Sequence, residues 1–224
     1  MSKYSTLIFD CDGVILNSNK IKTQAFRKVL ANFNQDAVNE FIEYHKKNGG
    51  ISRYIKLERF LDTIVPKYVE DFHPNKNQLQ SLLKKYGYEC KSSLCNCEIT
   101  KGLKTLRKAS GNIPWLIVSG GDQNELKEVF NYKTLTKYFN GGIFGSPDKK
   151  IDIIKREITN GLIKPPALMM GDSKLDHLVA KSSDIDFLFV SQWTDFKEYE
   201  SYCRINSIQI IRSVYELIKI FKQI

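Results

Sequence analysis

The sequence predicts an α/β fold, a parallel sheet covered by helices on both faces with a helical module inserted after the first strand. Short apolar runs bounded by Gly, Asp and Ser alternate with stretches of helical periodicity, as βαβ units require. Three of those runs end in Asp or Ser, and ligands of open α/β sheets bind at the carboxyl ends of strands. Roughly a hundred residues without a strand separate the first two runs, far more than a crossover needs.

In order, residues 5–10 form the first strand, with Leu7-Ile8-Phe9 as its apolar body. Residues 18–31, 36–48, 51–65 and 75–88 carry apolar side chains at helical spacing, such as Phe41, Ile42 and Tyr44, with Gly49-Gly50 and Pro66 as breaks. These helices make an insert over 17–98, placed to cover the end of the first strand, and leave 1–16 and 99–224 as the core. A helix near 101–109 leads to a second strand at 113–118, which stops at Ser119-Gly120-Gly121. A helix over 122–130, a short strand at 142–145 and a helix over 150–159 follow. The strand at 167–170 stops at Gly171-Asp172-Ser173 and leads into a helix over 173–181. A strand at 185–190, an edge strand at 207–211 and a helix over 213–222 complete the chain. Right-handed crossovers then give a doubly wound, three-layer arrangement.

At 224 residues the chain suits one large domain, or one domain with an insert. Hydrophobic content of 42% and charged content of 26% are ordinary for a globular protein. No run is long enough to span a bilayer and no secretory signal precedes the first strand, so the expected location is cytoplasmic. The net charge of +9 leans toward anionic partners. Its basic residues are spread out rather than massed, which favours a small phosphorylated molecule over nucleic acid. The chain leaves the oligomeric state open. Cys11, Cys90, Cys95, Cys97 and Cys203 form no zinc-finger spacing and read as reduced structural thiols. Cys11, between two acids, reads as packing.

The chemistry concentrates at the strand ends. Asp10 and Asp12 follow the first strand, Ser119 and Gly120 follow the second, and Asp172 follows the fourth with Asp176 one helical turn later. Asp10 and Asp172 can share a divalent cation such as Mg²⁺, which prefers oxygen ligands. Ser119, a backbone N–H near Gly120 and a Lys ammonium would neutralise a phosphoryl group in transfer. Asp10 then suits a nucleophile and Asp12 a general acid and base. Asp176 would hold the Lys or a metal-bound water. Lys149 and Lys150 adjoin; Lys150 is preferred because Ile153-Ile154 fit a helix that starts there. In the insert, Arg53 and Lys56 follow Gly49-Gly50 and are candidate substrate selectors, with Lys20 and Lys22 behind them. His177 faces away from Asp176 on a helix and reads as structural.

These motifs resemble those of haloacid dehalogenase superfamily phosphatases with a helical cap, of the phosphoglycolate phosphatase and β-phosphoglucomutase type. The resemblance rests on Asp10-x-Asp12-Gly13, on Val118-Ser119-Gly120, on Gly145-Ser146-Pro147 leading to a Lys, and on Gly171-Asp172-Ser173-x-x-Asp176, in family order. It implies a Rossmann-like parallel sheet with a mobile cap, and an Mg²⁺-dependent phosphatase acting on a small sugar or sugar-acid phosphate through an aspartyl phosphate. In that frame Asp10 is nucleophile and metal ligand, and Asp12 is acid and base with its carbonyl on the metal. Asp172 is a metal ligand, Ser119 and Lys150 bind phosphate, and Asp176 supports them. The chain departs from many relatives at Asn17-Ser18, where an acidic residue often precedes the Ser. A phosphomutase with the same intermediate and an idle binding module with a basic surface are the rival readings.

Overall fold

The computed structural model describes residues 3–222. The outermost two residues of the core expected over 1–16 and 99–224 lie outside the described residues at either end. The central strand is β1 (Thr6–Phe9), whose residues are all buried. On one side it pairs with β2 (Trp115–Asp122), which pairs with β3 (Gly142–Ser146). On the other side it pairs with β4 (Ala167–Gly171), followed outward by β5 (Asp186–Val190) and the edge strand β6 (Gln209–Ile211). All pairings are parallel and the order is β3-β2-β1-β4-β5-β6. The chain builds outward from β1 on one side and then returns to the other, so the crevice between the ends of β1 and β4 is the topological switch point.

Side chains alternate across the strands, and that alternation divides the core in two. Leu7, Phe9 and Ile117 face one layer, while Ile8, Leu116 and Met169 face the other. Helices α7 (Lys150–Thr159) and α8 (Lys174–Ser182) cover the second face through Ile153, Ile154, Val179 and Ala180. The first face is covered in part by α5 (Leu103–Ser110) and α6 (Gln123–Tyr132) through Leu106, Val129 and Phe130. Trp115 is fully buried among them, and its indole N–H donates to Ser110 Oγ at 3.1 Å.

The cap is four helices: α1 (Asn19–Val29), α2 (Gln35–Lys47), α3 (Arg53–Arg59) and α4 (Lys76–Asn96). Asn34 caps α2 by accepting from the N–H groups of Asp36 and Ala37, and Ser52 caps α3. An aromatic stack holds them together, with ring centroids 5.0 Å apart for Phe26–Phe41, 5.1 Å for Phe41–Phe60 and 4.1 Å for Phe26–Tyr86.

Several boundaries differ from expectation. The helix expected over 51–65 is α3 followed by a π turn (Phe60–Ile64) and a 3₁₀ turn (Val65–Lys67). Pro66 has no N–H to continue the ladder. Helix α4 runs to Asn96 instead of 88, because Leu82, Tyr86, Cys90 and Leu94 keep a four-residue burial period straight through Gly87. Strand β2 does not stop at Ser119. After a register shift beyond Val118 it continues to Asp122, which pairs with Ser146. A short helix, α9 (Tyr199–Ile205), lies unforeseen between β5 and β6, and α10 (Leu217–Lys222) follows a 3₁₀ turn. All five cysteines are free, and Cys11 is packed in the core.

Candidate active site

Asp10 leaves the end of β1 with its backbone N–H on the Met170 carbonyl, 2.9 Å away, so the β1 and β4 ends are tied together. That register brings Asp172 beside it. Ligand oxygens of Asp10, Asp172 and Asp176 lie within 4.8 Å of one another, and all three residues are buried. Gly13 makes this approach possible. Its φ is +77°, and a side chain there would place its first carbon 2.0 Å from Asp172 Oδ2.

Lys150, at the start of α7, supplies the opposing charge. Its Nζ lies 2.9 Å from Asp10 Oδ1 and 2.6 Å from Asp176 Oδ1, with all three side chains nearly free of solvent. Lys149 stands exposed at the N-cap position of the same helix without a capping side-chain bond, so Lys150 is the lysine at the acidic cluster. Asp176 is further fixed by a capping box, in which Ser173 Oγ donates to its carboxylate at 2.6 Å and accepts its N–H.

The charges do not balance. Burial pushes the Asp10 carboxyl up to about 7, against the pull of Lys150 and with help from Asp176 and Asp12. Burial, with Asp10 and Asp176 alongside, lifts Asp172 well above the usual carboxylate range. Burial opposes the charge on Lys150 too, but Asp10 and Asp176 hold its ammonium above the ordinary range. Asp176 is committed to Lys150 and Ser173, which leaves Asp10 and Asp172 facing the cavity. Two buried, mutually repelling carboxylates there are a donor set that fits a hard divalent cation.

Asp12 is treated differently. Burial alone would raise it, but the Lys22 ammonium and the Ser18 hydroxyl, both bonded to its carboxylate, hold it below the usual range. Ser18, at the Asn17-Ser18 departure, thus touches the second acid directly. Ser119 is fully buried and its Oγ accepts the Gly121 N–H at 3.0 Å. Gly120 and Gly121 form the cavity wall there.

The cavity measures about 290 Å³ and is roofed by the cap. Closure over Gly120 is tight, since a side-chain carbon at that position would sit 2.0 Å from the Gly50 carbonyl. Both cap candidates reach the cavity wall. Arg53 is already engaged, pairing with Glu125 and lying 4.8 Å from the Tyr86 ring centre. Lys56 donates to His45 Nδ1 at 2.9 Å. His177 bonds Tyr202 at 2.7 Å away from the acids, a packing role.

Sequence reasoning passed over Asn19, whose Nδ2 donates to Asp172 Oδ2 and to the Trp193 carbonyl, each at 2.9 Å. It also passed over the loop after β5, where Thr194 Oγ1 donates to the Asp172 carbonyl at 2.6 Å. The strand-end rule that picked out Asp10 and Asp172 applies equally to β5 and points to this loop.

The fold and the site define a capped α/β hydrolase. The chain belongs to the haloacid dehalogenase-like hydrolase family, whose model matches residues 7–190. No curated protein matches the sequence. Solved structures resemble it over nearly full length. A predicted phosphoglycolate phosphatase from Haemophilus somnus is 16% identical with a TM-score of 0.76, over 98% of this chain and 99% of that one. A predicted phosphatase from Clostridium acetobutylicum is 18% identical with a TM-score of 0.73, over 100% of both chains. A β-phosphoglucomutase from Clostridium difficile is 20% identical with a TM-score of 0.71, over 98% of both. At these identities the likeness establishes the fold. Among the described residues no helix is long and apolar enough to cross a membrane.

Proposed function

We propose that the protein is a Mg²⁺-dependent phosphomonoesterase for a small phosphorylated metabolite. The observation that carries this reading is the buried cluster of Asp10, Asp172 and Asp176 around Lys150 at the sheet's switch point, under a closed cap. Family membership and a cavity at the small end of ligand pockets support it.

Asp10 and Asp172 would hold the ion, which would supply positive charge against the phosphoryl oxygens. An Asp10 oxygen attacks phosphorus, the ester P–O bond breaks, and Asp12 gives its proton to the leaving oxygen. Water then attacks the aspartyl phosphate, its proton passes to Asp12, and the Asp10–P bond breaks to release inorganic phosphate. Lys150 and the Ser119–Gly120 backbone stabilise the charge that develops on the equatorial oxygens. Lys22 and Ser18 keep Asp12 ionised, the form that accepts water's proton. Sharing that ammonium with the phosphoryl group lets Asp12 take up the proton that the first step needs.

Phosphate release from a panel of phosphorylated metabolites, with Mg²⁺ and with EDTA, tests the reading. Release that requires Mg²⁺ is the expected result; equal release in EDTA, or none from any ester, would remove it.

We further read residues 17–98 as a cap that opens to admit substrate. Besides Asn19, Ser18 and Lys22 on the acids, α3 and α4 of the cap are linked to α6 and its N-cap through Arg53 with Glu125, Tyr54 with Asp122 at 2.6 Å, and Lys91 with Glu128 at 2.8 Å. The first is buried and the last is exposed, so the first dominates. Glu125→Gln is expected to weaken closure by about 1–3 kcal/mol, by removing the carboxylate that Arg53 needs in the closed state. Small-angle scattering should show a larger radius of gyration and limited proteolysis should quicken near residues 14–18 and 97–100. Unchanged scattering and cleavage would remove Glu125 from the closing contact.

A further inference from the structure

The roof over the active-site cavity leaves a mouth. Leu178 lines the cavity and is 46% exposed, and Lys47 and Lys174 line it from exposed positions too. The cavity therefore meets solvent between the end of α2 and the start of α8. On the core side, three apolar side chains line this mouth. Leu175 and Leu178 are neighbours on one face of α8, and Phe196 joins them from the loop after β5. None of the three is fully buried, and the acids, serine and lysine at the strand ends make no use of them. Lys174 beside them has its ammonium 5.7 Å from the Tyr202 ring centre. Phe196 is fixed in place. Its N–H donates to Thr194 Oγ1 at 3.0 Å, and that hydroxyl donates in turn to the Asp172 carbonyl at 2.6 Å. Its ring packs against Tyr202 and Phe189, with centroids 5.5 and 6.4 Å away. Phe189 is fully buried, as suits a ring that only packs, whereas Phe196 keeps part of its surface open to the cavity. A partly open aromatic ring in a fixed position suits stacking with another ring.

We propose that Phe196, with Leu175 and Leu178, receives an aromatic ring on the substrate's leaving group, so that the enzyme selects phosphomonoesters of ring-bearing alcohols. The inference rests on the phosphatase reading and deepens it by naming the substrate class. The phosphoryl group sits at Asp10 on the cavity floor, the alcohol runs outward, and its ring meets Phe196 at the mouth.

The chemistry of the wall favours a ring over a polyol. Hydroxyl groups set against two leucines and a phenylalanine give up water and find no hydrogen bond there. A ring gives up nothing at these side chains, and it takes its own apolar surface and theirs out of water. Asp195 also lines the mouth, and it adds an acceptor that a nucleobase N–H can meet and a plain aryl ring cannot.

Paired esters provide the test: a nucleoside monophosphate against the ribose phosphate that lacks only its base, and phenylethyl phosphate against butyl phosphate for a plain aryl ring. Both members of each pair release a primary alcohol, so their ratio in kcat/KM reports the ring, and a general loss of activity in a variant cancels. In at least one pair, wild type should favour the ring-bearing ester by about 5–50-fold, as the stacking of one ring implies. The pair that shows it tells a nucleoside from an aryl alcohol. Phe196→Leu keeps an apolar group against Tyr202 and Phe189 but removes the ring, and it should lose most of that ratio. Phe196→Trp should keep it. Leu178→Asn changes an exposed position, so it should lower the ratio while the melting temperature holds. Ratios near one in both pairs, or a preference that survives both Phe196→Leu and Leu178→Asn, would overturn the inference and leave the phosphatase reading standing. No release from any ester would overturn both.

Discussion

Asp10→Asn is expected to reduce phosphate release by about 10⁴-fold or more, since the amide cannot act as a nucleophile toward phosphorus. The fold should survive the change. The wild-type carboxyl is raised to about 7 by burial, then by Asp176 and Asp12, while Lys150 pulls the other way. A carboxyl raised above its unfolded value binds more protons in the native state, so its ionisation costs stability as pH rises through that window. Asn mimics the neutral form, and Lys150 keeps Asp176 at 2.6 Å. The melting temperature of Asp10→Asn should therefore equal or exceed that of wild type at pH 8 without metal, the difference closing toward pH 5. Thermal scans at the two pH values, beside a phosphate-release assay, check both halves. Wild-type-like turnover would refute the nucleophile assignment, and a cooperative loss of structure would refute the electrostatic one.

Lys150→Met should have the largest effect on stability. It leaves Asp10 and Asp176 buried without their shared cation, and breaking a buried pair in this way costs about 3–5 kcal/mol. For a chain of this size that is a fall in melting temperature of about 6–20 °C. Asp10, already raised to about 7 by burial, then moves further up, so the deficit should be greatest at pH 8 and shrink as acid neutralises it. Activity should fall as well, because in the proposed reaction the same ammonium meets the transferring phosphoryl group. A deficit independent of pH would mean that Lys150 stabilises the fold by packing alone.

The two variants act on one cluster with opposite signs, and this explains how a site so poor in water stays folded. Asp10 and Asp172 repel each other at the sheet's switch point, while Lys150 and the Ser173 capping box absorb Asp176. The remaining imbalance is what a divalent cation would relieve.

Much of this was legible in the sequence. Leu7-Ile8-Phe9 before Asp10, and Ala167 to Met170 before Asp172, are runs whose period and punctuation specify buried parallel strands with acids at their ends. The long interval without a strand specified an insert, and Ile153-Ile154 pointed to Lys150 over its neighbour. Such features are local, because strand and helix periods and turn residues are set by the nearest few side chains. The helix that broke at Pro66 and the one that ran on through Cys90 and Leu94 mark where local breaks competed with burial.

Only the tertiary structure decided which charges meet. Asn19 reaches Asp172 across 153 residues and Arg53 reaches Glu125 across 72, pairings that no spacing rule encodes. Arg53 and Lys56 looked equivalent in the sequence, both basic at the start of one helix. The fold set Glu125 opposite the first and only a neutral histidine beside the second, because helix packing brings distant segments together and thereby fixes each group's counter-charge and solvation.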